Sequence, residues 1–218
     1  MENTIAFKPG RLVSLDVMRG LIMIFLAGES CSVYESLRNL HSGFLDTMLI
    51  QFEHHPWHGL HFWDLIQPGF MTMAGTAMFL SYHSKLQKGI SWEQNLRHIA
   101  IRSLKLLILG TAVQCFYAGK LVWELWNVLT QLSVTTMIAY LIINRSYRFQ
   151  IGASVVLLIL TEVLYRAIRV PGFDQPFTEY HNFGAYMDTV FGEHINRDGW
   201  VTINFIPTAA HTIWGCLA

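Results

Sequence analysis

The residues best suited to chemistry lie between Phe52 and Phe70, in the stretch FEHHPWHGLHFWDLIQPGF. Four histidines and an aspartate stand there at the start of a long apolar run. Ionisable groups at membrane depth are costly to bury, so they indicate a functional site. An imidazole, with an ordinary pKa of about 6.5, accepts the proton of an attacking amine or hydroxyl at neutral pH. The stretch therefore predicts a histidine that acts as a general base.

A metal site is the competing interpretation of the same histidines. His54, His58 and His61 have the i, i+4 and i+7 spacing that places imidazoles on one face of a helix. Pro56 weakens that helical geometry, and a clear further ligand is lacking apart from the neighbouring carboxylates. We therefore favour a single catalytic histidine and expect no bound metal.

Charged residues in and near the first apolar segment could act together with these histidines. Asp16 and Arg19 are three positions apart, so they share one helix face and could form a structural ion pair. The alternative is that Arg19 faces a central cavity and steadies an anionic group. Asp64 could orient an imidazole, or it could pair with Arg19 across a helical bundle. Glu29 and Ser30, near the end of the first apolar segment, face the histidines under the topology predicted below.

A second basic group stands at the start of the third apolar segment, where Arg102 and Lys105 follow the loop 83–98. One interpretation is that these are ordinary membrane-flanking cations whose heads reach the interface. The other is a patch for the phosphates of a nucleotide cofactor, although the chain contains neither a P-loop nor a GxGxxG motif. Arg19, Arg102 and Lys105 are therefore the candidate cofactor-binding residues.

Composition indicates that membrane helices must position these groups. The chain of 218 residues is 52% hydrophobic and only 14% charged, whereas soluble proteins are about 25% charged. A net charge of +0 and the absence of a basic, aromatic-interleaved patch exclude a nucleic-acid partner. Cys31, Cys115 and Cys216 stand apart in apolar runs, so we interpret them as small apolar residues rather than a disulfide framework.

The apolar segments predict the fold class. Five of them approach the length of about 20 residues that crosses a bilayer, and a sixth begins near the end of the chain. The segments are Leu12–Val33, Phe62–Tyr82, Ile99–Tyr117, Leu125–Ile143, Phe149–Ala167 and Phe205–Ala218. In lipid the backbone must satisfy its own hydrogen bonds, so each segment should be a helix. We predict an all-α, polytopic integral membrane bundle in one domain, 1–218, that stops within its sixth helix.

Lysine and arginine are more frequent on the side of the predicted bundle that holds the N-terminus, which predicts a cytoplasmic N-terminus. This orientation places two long loops, 34–61 and 168–204, on the outer face. The second loop is rich in glycine, proline and Asx residues, and we expect it to fold over the outer mouth. Its polar residues, most of which we expect to be solvated, are His181, Asp188, Glu193, His194 and Asp198.

Three spaced motifs resemble a known family. They are R-L-x-S-L-D-x-x-R-G at Arg11–Gly20, H-x-x-W-H-G-x-x-x-x-D-L-I-x-P at His54–Pro68 and N-F-G-A-Y-x-D at Asn182–Asp188. Together they are similar to the heparan-alpha-glucosaminide N-acetyltransferase family of transmembrane acyltransferases and its bacterial relatives. The likeness runs in the same order from residue 11 to the C-terminus. Each motif alone would be weak.

The resemblance implies an integral membrane enzyme, in a bacterial inner membrane, that takes an acetyl group from cytoplasmic acetyl-CoA. The acceptor it implies is an amine or hydroxyl of a sugar or glycan on the far side. His54 matches the family's catalytic histidine, and Trp57, Gly59 and Asp64 accompany it in the motif. Relatives often carry an asparagine at the outer end of the first helix, where this chain has Ser30 beside Glu29. We therefore assign His54 and Asp64 to catalysis, and we assign substrate binding to the residues Glu29, Ser30 and Trp57.

Other interpretations stay open at this point. His54 could act as a base in direct transfer or as a transient acyl carrier in a two-step reaction. A polytopic transporter or flippase could instead use Asp16, Arg19, Asp64 and His54 as a proton relay, and an inactive membrane scaffold is a third class. The partners expected are the sugar or glycan acceptor and the lipid bilayer, with a homodimer as an open alternative.

Overall fold

The computed structural model describes residues 12–39, 43–123, 125–192 and 195–218. Within these ranges the chain forms nine α-helices, three short 3-10 turns and no β-strand, so the all-helical prediction is confirmed. Arg11, Glu193 and His194, which the sequence analysis singled out, lie outside the described residues. The helices are α1 (Val13–Ser30), α2 (Val33–Arg38), α3 (Gly43–Leu49), α4 (Ile66–Gln87), α5 (Trp92–Ala118), α6 (Val128–Ile142), α7 (Tyr147–Ala167), α8 (Phe183–Gly192) and α9 (Phe205–Leu217).

Local sequence signals set where the long helices begin and end. Ser91 and Gln94 form a capping box at the start of α5, and the side chains of Asn127 and Ser146 cap α6 and α7. Each cap gives a partner to backbone N–H groups that have none within the first helical turn. Gly119 ends α5 with φ 64°, a left-handed conformation that glycine adopts without steric cost.

The start of α4 differs from the predicted apolar segment. Residues Phe62–Leu65 form a 3-10 turn and the α-helix begins at Ile66, so Asp64 lies before the helix. Pro68 therefore falls in the first helical turn, where its missing N–H costs no hydrogen bond. The helix therefore starts around Pro68 and is not interrupted by it.

The long helices alternate in direction, as contacts at one end of the molecule demonstrate. Lys85, near the end of α4, donates to Asn95 Oδ1 at 2.7 Å, and the Asn95 amide donates to the Tyr140 hydroxyl at 3.0 Å. The start of α5 and the last turns of α4 and α6 therefore meet, and we call this the Tyr140 end. Tyr140 also stacks on Trp92, with ring centroids 5.7 Å apart.

The opposite end, which we call the His54 end, collects the long loops. Residues Glu53–His61, which join the helices α3 and α4, meet the segment 168–204 there. The indole N–H of Trp57 donates to the Phe177 carbonyl at 2.6 Å. Tyr165, near the end of α7, stacks on the Phe177 ring with centroids 4.7 Å apart. The two loops predicted to share one face thus lie against each other.

Helices α4 and α9 cross with their backbones in close contact. A methyl group at Gly75 would overlap the carbonyl of Thr212, and one at Gly215 would overlap the carbonyl of Thr72. The Thr76 hydroxyl donates to the Gly215 carbonyl at 2.9 Å, which ties the two helices together. Small residues at such a crossing allow the close approach on which helix packing in membranes depends.

We expect Gly75→Ala and Gly215→Ala to destabilise the fold by about 1–3 kcal/mol each, because the added methyl forces the backbones apart. Thermal unfolding of the purified protein should report this as a midpoint lowered by at least about 3 °C. Gly69→Ala, on the same α4, is the matched control because a methyl there meets nothing within 4 Å. Equal midpoints for Gly75→Ala and Gly69→Ala would contradict the close crossing.

Two helices of the described chain are long and apolar enough to cross a membrane: α5 with 27 residues and α7 with 21. Helix α6 is apolar but shorter. Helices α1 and α4 are long enough, but neither contains an 18-residue stretch as apolar and as weakly charged as those in α5 and α7. The five-span architecture with a sixth helix therefore stays a prediction. Large apolar side chains are exposed on α1, α5 and α7, among them Val17, Leu21, Ile24, Ile101, Leu104, Ile108, Val155, Ile159 and Val163.

Candidate active site

His54 and Asp64 form a hydrogen-bonded pair at the His54 end. The distance from His54 Nδ1 to Asp64 Oδ1 is 2.8 Å. The His54 side chain is 48% exposed, and within the described part of the chain no protein group bonds its other ring nitrogen, Nε2. Asp64 therefore binds Nδ1, and Nε2 of the same ring is accessible at the protein surface.

The chain around the pair folds onto the same carboxylate. Asp64 Oδ2 accepts the backbone N–H of His61 at 2.8 Å and that of His55 at 3.3 Å. Gly59 leaves room for the His55 ring, which a side chain at that position would overlap. The spacing of the motif H-x-x-W-H-G-x-x-x-x-D thus brings its histidine back to its aspartate.

The pKa of Asp64 lies below its ordinary value. Partial burial alone would raise it, but hydrogen bonds from the His61 backbone, the His54 ring and the His55 backbone favour the ionised form and outweigh that effect. An ionised carboxylate only accepts hydrogen bonds, so His54 Nδ1 must carry a proton. In a neutral imidazole this leaves the lone pair on Nε2, which is the tautomer that a base or nucleophile needs.

Glu29 joins this pair from α1. Its carboxylate lies close enough to His54 and to the Trp63 indole to interact electrostatically with both. Trp63 is only 3% exposed and packs in a core cluster with Ile22 of α1, so the indole beside Glu29 has a fixed position. The site thus brings together two carboxylates and one imidazole, from α1, the histidine loop and the turn before α4.

A tryptophan from the second loop closes one side of the site. The Trp200 ring meets the His54 ring edge to face, with centroids 5.0 Å apart and planes at 68°. Trp200 also lies nearly parallel to Trp126, with centroids 6.2 Å apart and planes at 17°. His54 therefore stands beside an aromatic wall that two distant parts of the chain contribute.

The motif at Asn182–Asp188 positions this wall. Asp188 accepts the backbone N–H of Thr202 with both carboxylate oxygens, each at 3.1 Å. Gly184 lets α8 approach closely, because a methyl there would overlap the Tyr165 hydroxyl and Val201. The chain on the C-terminal side of Trp200 is thereby fixed against α7 and α8, which is a structural role for the third motif.

Trp57 lies at the edge of the same site. Its ring contacts the backbone of Gly199, which has φ 71°, and its indole N–H is bonded to Phe177. Its polar group therefore joins the two loops. A role of Trp57 in substrate binding stays a prediction.

The remaining predicted site residues do not reach this cluster through any described contact. The Ser30 hydroxyl donates to the Leu26 carbonyl of its own helix at 2.9 Å. Arg19 is half-buried on α1, about 15 Å along the axis from Glu29, and it forms no ion pair with a described residue, Asp16 included. Arg102 and Lys105 are exposed on α5.

The other histidines of the stretch have separate surroundings. The segment 53–61 is not helical, so the spacing that favoured a metal site does not place the imidazoles on one face. His61 Nδ1 lies 3.0 Å from the Glu53 carbonyl, His55 packs on Gly59, and His58 is exposed. Among the described residues, no group of three or more His, Cys, Asp or Glu side chains could hold a metal ion.

Sequence reasoning missed three aromatic residues of the site: Trp63, Trp126 and Trp200. The chain has seven tryptophans, and nothing in the local pattern separates these three from membrane-interface residues. Only the position of Trp63 next to Asp64, within the second motif, pointed toward the site.

Comparison with known proteins identifies the same family as the motifs do. Residues 11–187 match the family described as heparan-alpha-glucosaminide N-acetyltransferase, catalytic. The human heparan-alpha-glucosaminide N-acetyltransferase is 33% identical over 132 residues, which cover 58% of this chain and 18% of the human protein. Its mouse counterpart is 37% identical over 89 residues, covering 38% of this chain and 14% of the mouse protein. The matched segment spans less than a fifth of either relative's length.

Proposed function

Because this chain belongs to the heparan-alpha-glucosaminide N-acetyltransferase catalytic family, we propose that it is a membrane acyltransferase. The donor is acetyl-CoA, and the acceptor is an amine or hydroxyl of a sugar or glycan. The observation that carries the proposal is the His54–Asp64 hydrogen bond of 2.8 Å, which leaves His54 Nε2 directed away from the carboxylate.

His54 Nε2 serves as the base in direct transfer. The acceptor amine attacks the thioester carbonyl carbon, a C–N bond forms, and the C–S bond to CoA breaks. The proton that the amine loses passes to Nε2 and then to the departing thiolate. A thioester needs little activation, so positioning the nucleophile and removing its proton are the main tasks. In a two-step variant Nε2 itself carries the acetyl group transiently.

Glu29 orients the acceptor in this proposal. A carboxylate near His54 can accept a hydrogen bond from an attacking amine or hydroxyl and direct its lone pair toward the donor. The buried indole of Trp63 lies beside this carboxylate and limits the space into which it can move. Ser30, which follows Glu29 at the end of α1, is assigned to the outer rim of the acceptor site.

The acyl donor approaches from the Tyr140 end. Arg102 and Lys105 are exposed cations on α5, and Lys105 lies about 20 Å along the axis from Ala118, where α5 ends. These cations can bind the phosphates of acetyl-CoA. The extended arm of acetyl-CoA would then carry its thioester along the helix toward the His54 end. Arg19 on α1 is assigned to the same anionic group.

A membrane location is supported by the surface of the helices. Helices α5 and α7 have the length and apolarity of membrane spans, and α1, α5 and α7 expose large apolar side chains along their length. The excess of lysine and arginine on the Tyr140 side supports a cytoplasmic N-terminus with the His54 end outside.

Sealed vesicles test the function and the orientation together. Right-side-out vesicles that contain the full-length protein are loaded with radiolabelled acetyl-CoA, and glucosamine is supplied outside. We expect labelled acetyl-glucosamine outside and none with vesicles that lack the protein. N-acetylglucosamine, whose amine is blocked, distinguishes transfer to nitrogen from transfer to oxygen.

The other outcomes of this experiment are equally definite. Transfer only with acetyl-CoA outside and sugar inside would reverse the orientation and leave the chemistry standing. No CoA-dependent transfer in either arrangement, or after solubilisation in detergent, would refute the acyltransferase and favour transport or a scaffold role. The relay that a transporter would need has no described contact that joins Arg19 to His54.

A further inference from the structure

Trp200 lies beside His54 and stacks on Trp126, and neither tryptophan belongs to the hydrophobic cores. The three core clusters of the described residues are built from other side chains. Both tryptophans are only half-buried, although they are among the largest apolar side chains in the protein. Packing alone therefore does not account for their position next to a reactive imidazole.

The backbone holds Trp200 in place from both sides. Gly199, with φ 71°, packs against Trp57 and Glu179 on the N-terminal side, and Asp188 binds the backbone of Thr202 on the C-terminal side. A side chain fixed in this way loses little conformational entropy when it binds a ligand. Such preorganisation is typical of a recognition surface.

We propose that Trp200, which stacks on Trp126, is the surface on which the sugar ring of the acceptor stacks. A pyranose ring presents a face of C–H groups with slight positive charge, and the face of an indole carries the complementary negative charge. With ring centroids of His54 and Trp200 only 5.0 Å apart, a ring stacked on Trp200 brings its amine or hydroxyl substituent beside the imidazole.

This inference rests on the proposed acyl transfer and adds the surface that binds the ring of the acceptor. The enzyme selects cyclic acceptors with an apolar ring face, and Trp200 contributes to acceptor binding rather than to proton transfer. Loss of Trp200 should therefore raise the KM for the sugar and leave the KM for acetyl-CoA and the turnover of bound substrate nearly unchanged.

Steady-state kinetics of Trp200 variants in the full-length protein test the inference. We expect Trp200→Ala to raise the KM for glucosamine at least about tenfold, which is the size of a lost stacking contact, with kcat within about threefold of wild type. Trp200→Phe keeps a smaller aromatic face and should give an intermediate KM. Trp200→Leu keeps apolar bulk without that face and should resemble alanine. Trp123→Ala is the control, because Trp123 is exposed in the neighbouring loop and lies outside the stack.

The results distinguish failure of the stacking surface from failure of the proposed acyltransferase function. A wild-type protein that transfers no label refutes the acyltransferase, whatever the tryptophan variants do. A wild type that transfers label, with Trp200→Ala or Trp200→Leu at the wild-type KM for glucosamine, refutes the stacking surface and leaves acyl transfer standing. An equal rise in the KM for acetyl-CoA in Trp200→Ala and Trp200→Phe also refutes it, because that pattern reports a general disturbance of the fold.

Discussion

His54→Ala should lower acetyl transfer from acetyl-CoA to an amino sugar by about 10²–10⁴-fold, the usual contribution of a positioned general base. The imidazole is the only group at the site that combines a free ring nitrogen with a carboxylate partner, among the residues that the structure describes. The measurement is the initial rate of label transfer in membranes that contain equal amounts of each variant.

His58→Ala is the matched control for this substitution. It removes an exposed imidazole four positions further along the same loop, and the transfer rate should stay within about twofold of wild type because His58 touches neither Asp64 nor Glu29. Transfer that survives His54→Ala at more than about a tenth of the wild-type rate would remove His54 from the mechanism. Label retained on the wild-type protein without acceptor, and lost in His54→Ala, would favour the two-step route.

Asp64→Asn should cost nearly as much, about 10²–10⁴-fold in kcat, because it reverses the tautomer of His54. Asp64 accepts the His54 ring with one oxygen and two backbone N–H groups with the other. Asparagine has one acceptor oxygen and one donor amide. When its oxygen stays with the backbone of His55 and His61, its amide faces His54 Nδ1 and drives the proton to Nε2. That nitrogen can then no longer accept a proton.

The kinetic signature separates this effect from simple misfolding. The KM for acceptor and donor should change little while kcat falls, and Asp174→Asn, an exposed aspartate in the second loop, should leave kcat unchanged. A variant that retains kcat within about threefold would show that Asp64 does not set the tautomer.

The same carboxylate links stability to pH. The pKa of Asp64 in the folded protein is lower than its ordinary value, because the His61 and His55 N–H groups and the His54 ring outweigh the effect of burial. Its contribution to stability is therefore complete above the ordinary pKa and is lost as the pH falls through the folded-state value. The difference in unfolding midpoint between wild type and Asp64→Asn should accordingly be largest at neutral pH and shrink in acid.

From the sequence, Asp64 had two candidate partners, an imidazole of the histidine stretch and Arg19. The structure shows the first, because residues 54–64 bring His54 Nδ1 within 2.8 Å of Asp64 and the other carboxylate oxygen accepts backbone N–H groups of the same segment. The all-helical class followed from composition and from the length of the apolar segments. The family was predicted from three motifs and is confirmed by the match over residues 11–187.

What could not be predicted depends on contacts between distant segments. Nothing near Trp200 indicates that it meets His54, since that contact arises from Asp188 and Gly184 far from the histidine loop. The role of Pro68 has a similar origin. A proline in an apolar run can kink a helix or start one, and only the preceding 3-10 turn decides which.

The hydrogen bond from Trp57 to Phe177 joins positions 120 residues apart. The two loops that meet at the site are therefore synthesised at different times on the ribosome. At about 5–20 residues per second, Trp200 emerges on the order of 10 s after His54 and Asp64. During that interval His54 and Asp64 have been synthesised, but Trp200 and the loop that carries it have not. The contact between Trp200 and His54 can therefore form only after helices α4 to α8 have been made.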